Sequence, residues 1–143
     1  HLLVQAPPAA AASPLFGADN RSSRVYPYVA AGAYAAVLRD CVYTPALNTA
    51  TLCNLGRLPL LGTETRGDVP SVEQVMARVL VSNDWMGQRF EAFLREQDPQ
   101  GDFRRLLNGV TAIVIGGRVR PAFYWSATGA IYLDAVRRCL TSA

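Results

Sequence analysis

Residues 110–134 read VTAIVIGGRVRPAFYWSATGAIYLD, and the alternation of β-branched runs with glycine turns decides the class of fold. Val110 to Ile115 is rich in side chains that suit a pleated surface and is closed by Gly116-Gly117, so a strand is expected there. Ala122–Trp125 and Ala130–Leu133 then form two more strands around the four-residue turn Ser126–Gly129, with Gly129 supplying the left-handed residue. Pro121 has no backbone donor and limits the first of these strands at its start. Beyond them Asp134 can cap a last helix over Ala135–Leu140.

Upstream of this region the period changes to that of helices. Pro70-Ser71-Val72-Glu73-Gln74 carries a capping box, in which Ser71 accepts from the backbone while Gln74 reaches back. Val72, Val75, Met76, Val79 and Leu80 fall on one helical stripe behind it. Ser82-Asn83-Asp84 interrupts and offers a fresh N-cap for a second helix over Trp85–Gln97, whose apolar stripe is Trp85, Met86, Phe90, Phe93 and Leu94. The turn Asp98–Asp102 ends in another N-cap, and Phe103, Leu106 and Leu107 make a short third helix stopped by Asn108-Gly109. Earlier still, the Ala-rich half of Tyr26–Val42 favours a helix with closely packing small faces. The class expected is therefore α+β: short helices followed by a small antiparallel sheet or hairpin, with one preceding strand, as part of a larger fold.

Residues 1–23 combine Pro7-Pro8, the alanines 9–12, Ser13-Pro14 and a polar end, a composition of an extended arm or linker rather than a core. Residues 24–143 are then a single α+β domain, long enough to bury a core without a metal or a dense disulfide framework. The arm has neither the cationic start nor the apolar run of a signal peptide. His1 could join its ring and amine in chelating copper, but the chain has no second histidine, and a tag or processing remnant accounts for it.

Cys41 and Cys53 flank a loop containing Pro45 and Asn48. A disulfide closing it would stabilise by about 3 kcal/mol and would place the chain in an extracytoplasmic compartment, periplasmic or secreted; two buried thiols are the alternative. Cys139 is left over, and with the short run Ala135–Leu140 it leads to the expectation of a chain truncated at its C-terminus, with another polypeptide or the remainder of the same protein as its partner.

One histidine and three cysteines give too few ligands for a self-contained zinc, haem or iron–sulfur site, so no metal and no cofactor are expected within this chain. No apolar run is long enough to span a bilayer. All fourteen cations are arginines, and they are scattered among eleven acids with only Arg104-Arg105 and Arg137-Arg138 adjacent, the pattern of a mixed solvated surface rather than a nucleic-acid face. Ser126 lacks the preceding glycine of a nucleophile elbow, and its only histidine base would be His1. Asp84, Glu91, Asp102 and Asp134 could pair as glycosidase acids, yet each sits where a helix cap or a solvated face explains it. No catalytic residue is assigned. Arg118, Arg120, Tyr124, Trp125 and Tyr132 lie near the hairpin and could line a groove for a carboxylate or a sugar face; a hairpin core built from the same rings is the alternative.

The stretch from Thr111 to Ala135, with VLVSNDWMGQRF over Val79–Phe90 ahead of it, resembles the front half of secreted bacterial zincin-like metallopeptidases. In that family a strand similar to Gly129–Asp134 precedes the helix that carries the zinc-binding His-Glu-x-x-His. The resemblance implies a non-catalytic segment that scaffolds a cleft completed elsewhere, because that motif is not in this sequence. A self-sufficient binding or assembly module of the cell envelope is the second reading.

Overall fold

The computed structural model describes residues 25–40, 58–116, 122–126 and 128–134. Cys41, Cys53 and Cys139, the arm over 1–23, the terminal helix expected from Ala135, and Arg118 and Arg120 lie outside the described residues. The α+β class holds, but the sheet is larger than a hairpin with one neighbour and its centre is parallel.

In chain order the elements are β1 (Tyr26–Pro27), α1 (Ala35–Asp40), α2 (Leu61–Thr65), α3 (Val72–Met76), β2 (Val79–Val81), α4 (Asp84–Glu96), α5 (Asp102–Leu106), a 3-10 turn (Leu107–Gly109), β3 (Ile113–Gly116), β4 (Phe123–Trp125) and β5 (Ala130–Asp134). The sheet order is β1-β2-β3-β5-β4. β2, β3 and β5 run parallel, while β1 and β4 close the two edges antiparallel. The expected hairpin is present as β4 and β5, with Gly129 at φ 77° in its turn. Its β5 strand pairs in parallel with β3, which makes β3 part of a crossover rather than of a meander.

The largest correction concerns Val79 and Leu80. They do not extend the helical stripe begun at Val72; α3 ends at Met76, and Val79–Val81 crosses into the sheet between β1 and β3. Val79, Leu80 and Val81 are all buried, as a central strand covered on both faces requires, and such a continuous apolar run does not distinguish strand from buried helix by period. In the Ala-rich stretch a helix forms as expected, over Ala35–Asp40. Tyr26–Pro27 pairs with β2, and the helix begins only at Ala35.

Alternation along the strands sorts the core into two. Val79, Val81, Ile113, Ile115 and Leu133 face a layer built from α2, α3, α4 and the 3-10 turn. Leu80, Val114, Ala130 and Tyr132 face the other way, under Leu38 of α1 and Leu58. Phe90 and Phe93 of α4 meet Phe103 edge to face at 6.3 and 5.3 Å, which fixes α5 against α4. Of the apolar residues read with Phe103 as one short helix, Leu106 is 74% exposed and Leu107 turns inward.

The caps are largely those anticipated. Ser71 accepts from the Gln74 amide at 3.0 Å and the Gln74 side chain accepts from the Ser71 amide at 2.9 Å, which completes the capping box of α3. Asn83 caps α4 by accepting from the Trp85 amide. For α5 the device differs from the expected Asp102 cap. Gly101, at φ 79°, turns the chain, and Asp98 reaches across to accept from the amides of Phe103 (2.9 Å) and Arg104 (3.1 Å).

Candidate functional site

The register aligns the carboxyl ends of the parallel strands. Tyr26 stands opposite Val81, Val81 opposite Ile115, Ile115 opposite Leu133, and Gly116 opposite Asp134. In open sheets with parallel centres this is the edge where ligands bind, because loops and helix N-termini converge there. Here it brings together Tyr26, the Ser82-Asn83-Asp84 turn, the start of α4, Gly116 and Asp134.

Tyr26 donates a hydrogen bond to Asp84 Oδ1 at 2.9 Å. Partial burial, reinforced by the hydrogen bond and the negative charge of Asp84, pushes its phenol up to about 12. Burial also raises the Tyr28 phenol, with Glu91 and Asp84 adding to the effect. Both rings therefore stay protonated at neutral pH and act as hydrogen-bonding groups, not bases. The Tyr28 ring lies against Gly87, where a Cβ would come within 2.2 Å of it, so α4 and the strand region of Tyr28 approach ring to backbone. Ser82 points its hydroxyl at the Met86 sulfur, 3.3 Å away, rather than at a base. Asp134 is fully buried where β5 ends.

Tyr124 and Tyr132 of the hairpin do not converge. Tyr124 is opposite Ile131, which packs on the α4 side of the sheet, and it is 52% exposed. Tyr132 points to the other side and is fully buried with Leu80 and Val114. Trp125 pairs through its backbone with Ala130 on the outer strand. Of the groove read from the sequence, then, Tyr132 is core, Tyr124 is rim, and Arg118 and Arg120 lie outside the described residues.

Among the glycosidase candidates, Asp84 holds Tyr26 and Glu91 pairs with Arg95 at 2.8 Å. Asp102 is exposed in the first turn of α5. No group of three or more His, Cys, Asp or Glu that could hold a metal occurs among the described residues. No helix among the described residues is long and apolar enough to cross a membrane.

At the opposite, amino-terminal edge of the sheet sits a group the sequence reading did not single out. Arg78, immediately before β2, is fully buried. It donates to the carbonyls of Pro59 and Thr111 (3.0 Å for the latter) and to Glu64 Oε1 at 3.1 Å, and its guanidinium lies 4.3 Å from the centre of the Tyr34 ring. Thr111 Oγ1 in turn donates to the Thr128 carbonyl at 2.8 Å, which ties the hairpin turn to the lead-in of β3. The available signal was a lone cation between Val75-Met76-Ala77 and Val79-Leu80-Val81, a charge inside an apolar run.

Compared with known proteins, the chain matches no family model, no curated sequence and no solved structure.

Proposed function

We propose that this domain is a non-catalytic scaffold within a larger secreted or periplasmic bacterial protein of the zincin-like hydrolase kind, and that it forms one wall of a cleft completed by other residues. The observation that carries this reading is the hairpin rim. β4 is the outermost strand of the sheet, its Tyr124 is half exposed, and β5 behind it is anchored rigidly between β3 and β4. A rigid sheet whose outer strand offers an aromatic side chain is suited to bordering a cleft, since precise sites sit on rigid elements. The sequence resemblance to the zincin-like front half falls on these strands, β2 and α4. A Cys41–Cys53 disulfide belongs to the same proposal, as the mark of an oxidising compartment.

A second reading is favoured by the core: each face of the sheet carries a cluster of buried apolar side chains supplied by the described residues. That suits a self-sufficient envelope binding module. Intact mass of the native material, with and without reductant, alongside its mass in solution, separates the two. A heavier species that releases this chain only on denaturation or reduction, and that carries zinc, is the result expected of the scaffold. A stable 15.5 kDa monomer with one internal disulfide would overturn it in favour of the binding module.

A further inference from the structure

Between α2 and α3 the chain turns through Arg66-Gly67-Asp68, and all three residues are exposed. Arg66 is the one non-glycine residue at positive φ among the described residues, at 56°, and Gly67 follows at 84°. A side chain in that conformation crowds its own backbone, a strain that a glycine at the same place would avoid. Backbone bonds hold the turn: the amides of Arg66 and Gly67 both donate to the Gly62 carbonyl, and that of Asp68 donates to the Thr65 carbonyl at 3.1 Å. Asn108 clamps it from the 3-10 turn, accepting from Thr65 Oγ1 at 2.9 Å and donating to the Asp68 carbonyl at 2.8 Å. On the far side Val69 packs so closely on Gly101 that a Cβ there would clash with it, and the Pro70 carbonyl accepts from Arg104 at 2.9 Å. The backbone of the triplet is thus tied to the body of the domain at both ends.

Its side chains are not used by the fold. Neither Arg66 nor Asp68 makes a side-chain hydrogen bond or ion pair among the described residues, and nothing lies within 4 Å of the place a Cβ would take on Gly67. A fixed turn that offers a cation and an anion two residues apart, over a bare glycine, fits a partner that bears both signs. A surface of one sign, such as a phosphate backbone or an anionic lipid, would gain from one side chain and be repelled by the other. Guanidinium pairs with carboxylate as a fork, and carboxylate ligates hard divalent cations. We propose that Arg66-Gly67-Asp68 is a recognition loop for a receptor protein that takes Asp68 onto a bound divalent cation and Arg66 onto a carboxylate beside it. Holding the backbone in place beforehand lowers the ordering cost of that docking. The loop follows α2, which supplies Glu64 to Arg78 at the amino-terminal edge of the sheet, so this inference does not rest on the cleft reading.

The probe is an immobilised integrin ectodomain that captures an Arg-Gly-Asp peptide in Mg2+, because such a surface has the required cation and carboxylate. The full chain should bind it saturably, be displaced by the peptide and be released by EDTA. Asp68→Glu keeps the charge and moves the carboxylate out by one methylene; it should weaken capture on the order of tenfold or more. Arg66→Gly removes the guanidinium and relieves the positive φ, so capture should fall by a similar factor while the midpoint of denaturant unfolding holds or rises. An arginine kept for structure alone would lower that midpoint when replaced. No capture of the unmodified chain on a surface that captures the peptide would overturn the proposal, as would capture that survives EDTA or is unchanged by Asp68→Glu.

Discussion

Two tyrosines in one hairpin have opposite fates. Tyr132 is fully buried and Tyr124 is half exposed, so truncating each should separate core from rim: Tyr132→Ala is expected to cost about 3–5 kcal/mol in denaturant unfolding, and Tyr124→Ala no more than about 0.5 kcal/mol. Comparable losses from both would place Tyr124 in the core after all. Tyr26 carries a prediction of a different kind. Its phenol is raised from 10.0 to about 12 in the folded protein, so the fold prefers the neutral ring. The resulting contribution is complete below the unfolded value and is lost as pH climbs from about 10 through about 12. Stability measured across that window should fall, and Tyr26→Phe should flatten the fall; an ultraviolet titration in which this tyrosine ionises near 10 would remove the basis for it.

At the scale of elements, two caps invite comparison. Ser71→Ala removes one side of a capping box and is expected to cost about 1 kcal/mol. Asp98→Ala should cost more, about 3 kcal/mol, because Asp98 is nearly buried, bonds two amides, and pairs with Arg104 at 3.1 Å; its loss leaves that guanidinium largely desolvated without a counter-charge. Equal losses in chemical denaturation would mean the Asp98 pair is solvated in solution. These cases also show what a sequence discloses. Ser71-x-x-Gln74 and Asn83 are local devices whose partners lie within three residues, and they were legible. Asp98 acts five and six residues ahead across a glycine turn, beyond any fixed spacing of a cap. Val79 and Leu80 read as helix because the neighbours of β2 in the sheet, Tyr26 and Ile113, are distant in sequence, and only pairing with them makes three buried residues a strand. The hairpin, whose signal is local, was legible down to its left-handed glycine. Of the site, the aromatic residues were recognised but not their sides. Arg78 went unnoticed because its four attachments come from separate segments.

At the scale of the molecule the class of fold was legible and the parallel centre was not, since a crossover joins strands that share no local signal. The order β1-β2-β3-β5-β4 has a consequence in time. The strand made last of the five is inserted beside β3, and β4, made before it, has no described neighbour except β5. During synthesis β4 therefore leaves the ribosome before the described strand it pairs with, and Val114 lacks its β5 neighbour until Tyr132 arrives next to it. A chain halted at Ser126 should remain open to proteases along β3, and one extended through Ala143 should resist them; equal resistance would show that the sheet closes without its inner strand. The sheet is thus completed only when β5 arrives, and until Asp134 has cleared the exit tunnel β3 lacks the strand that pairs with it on one side.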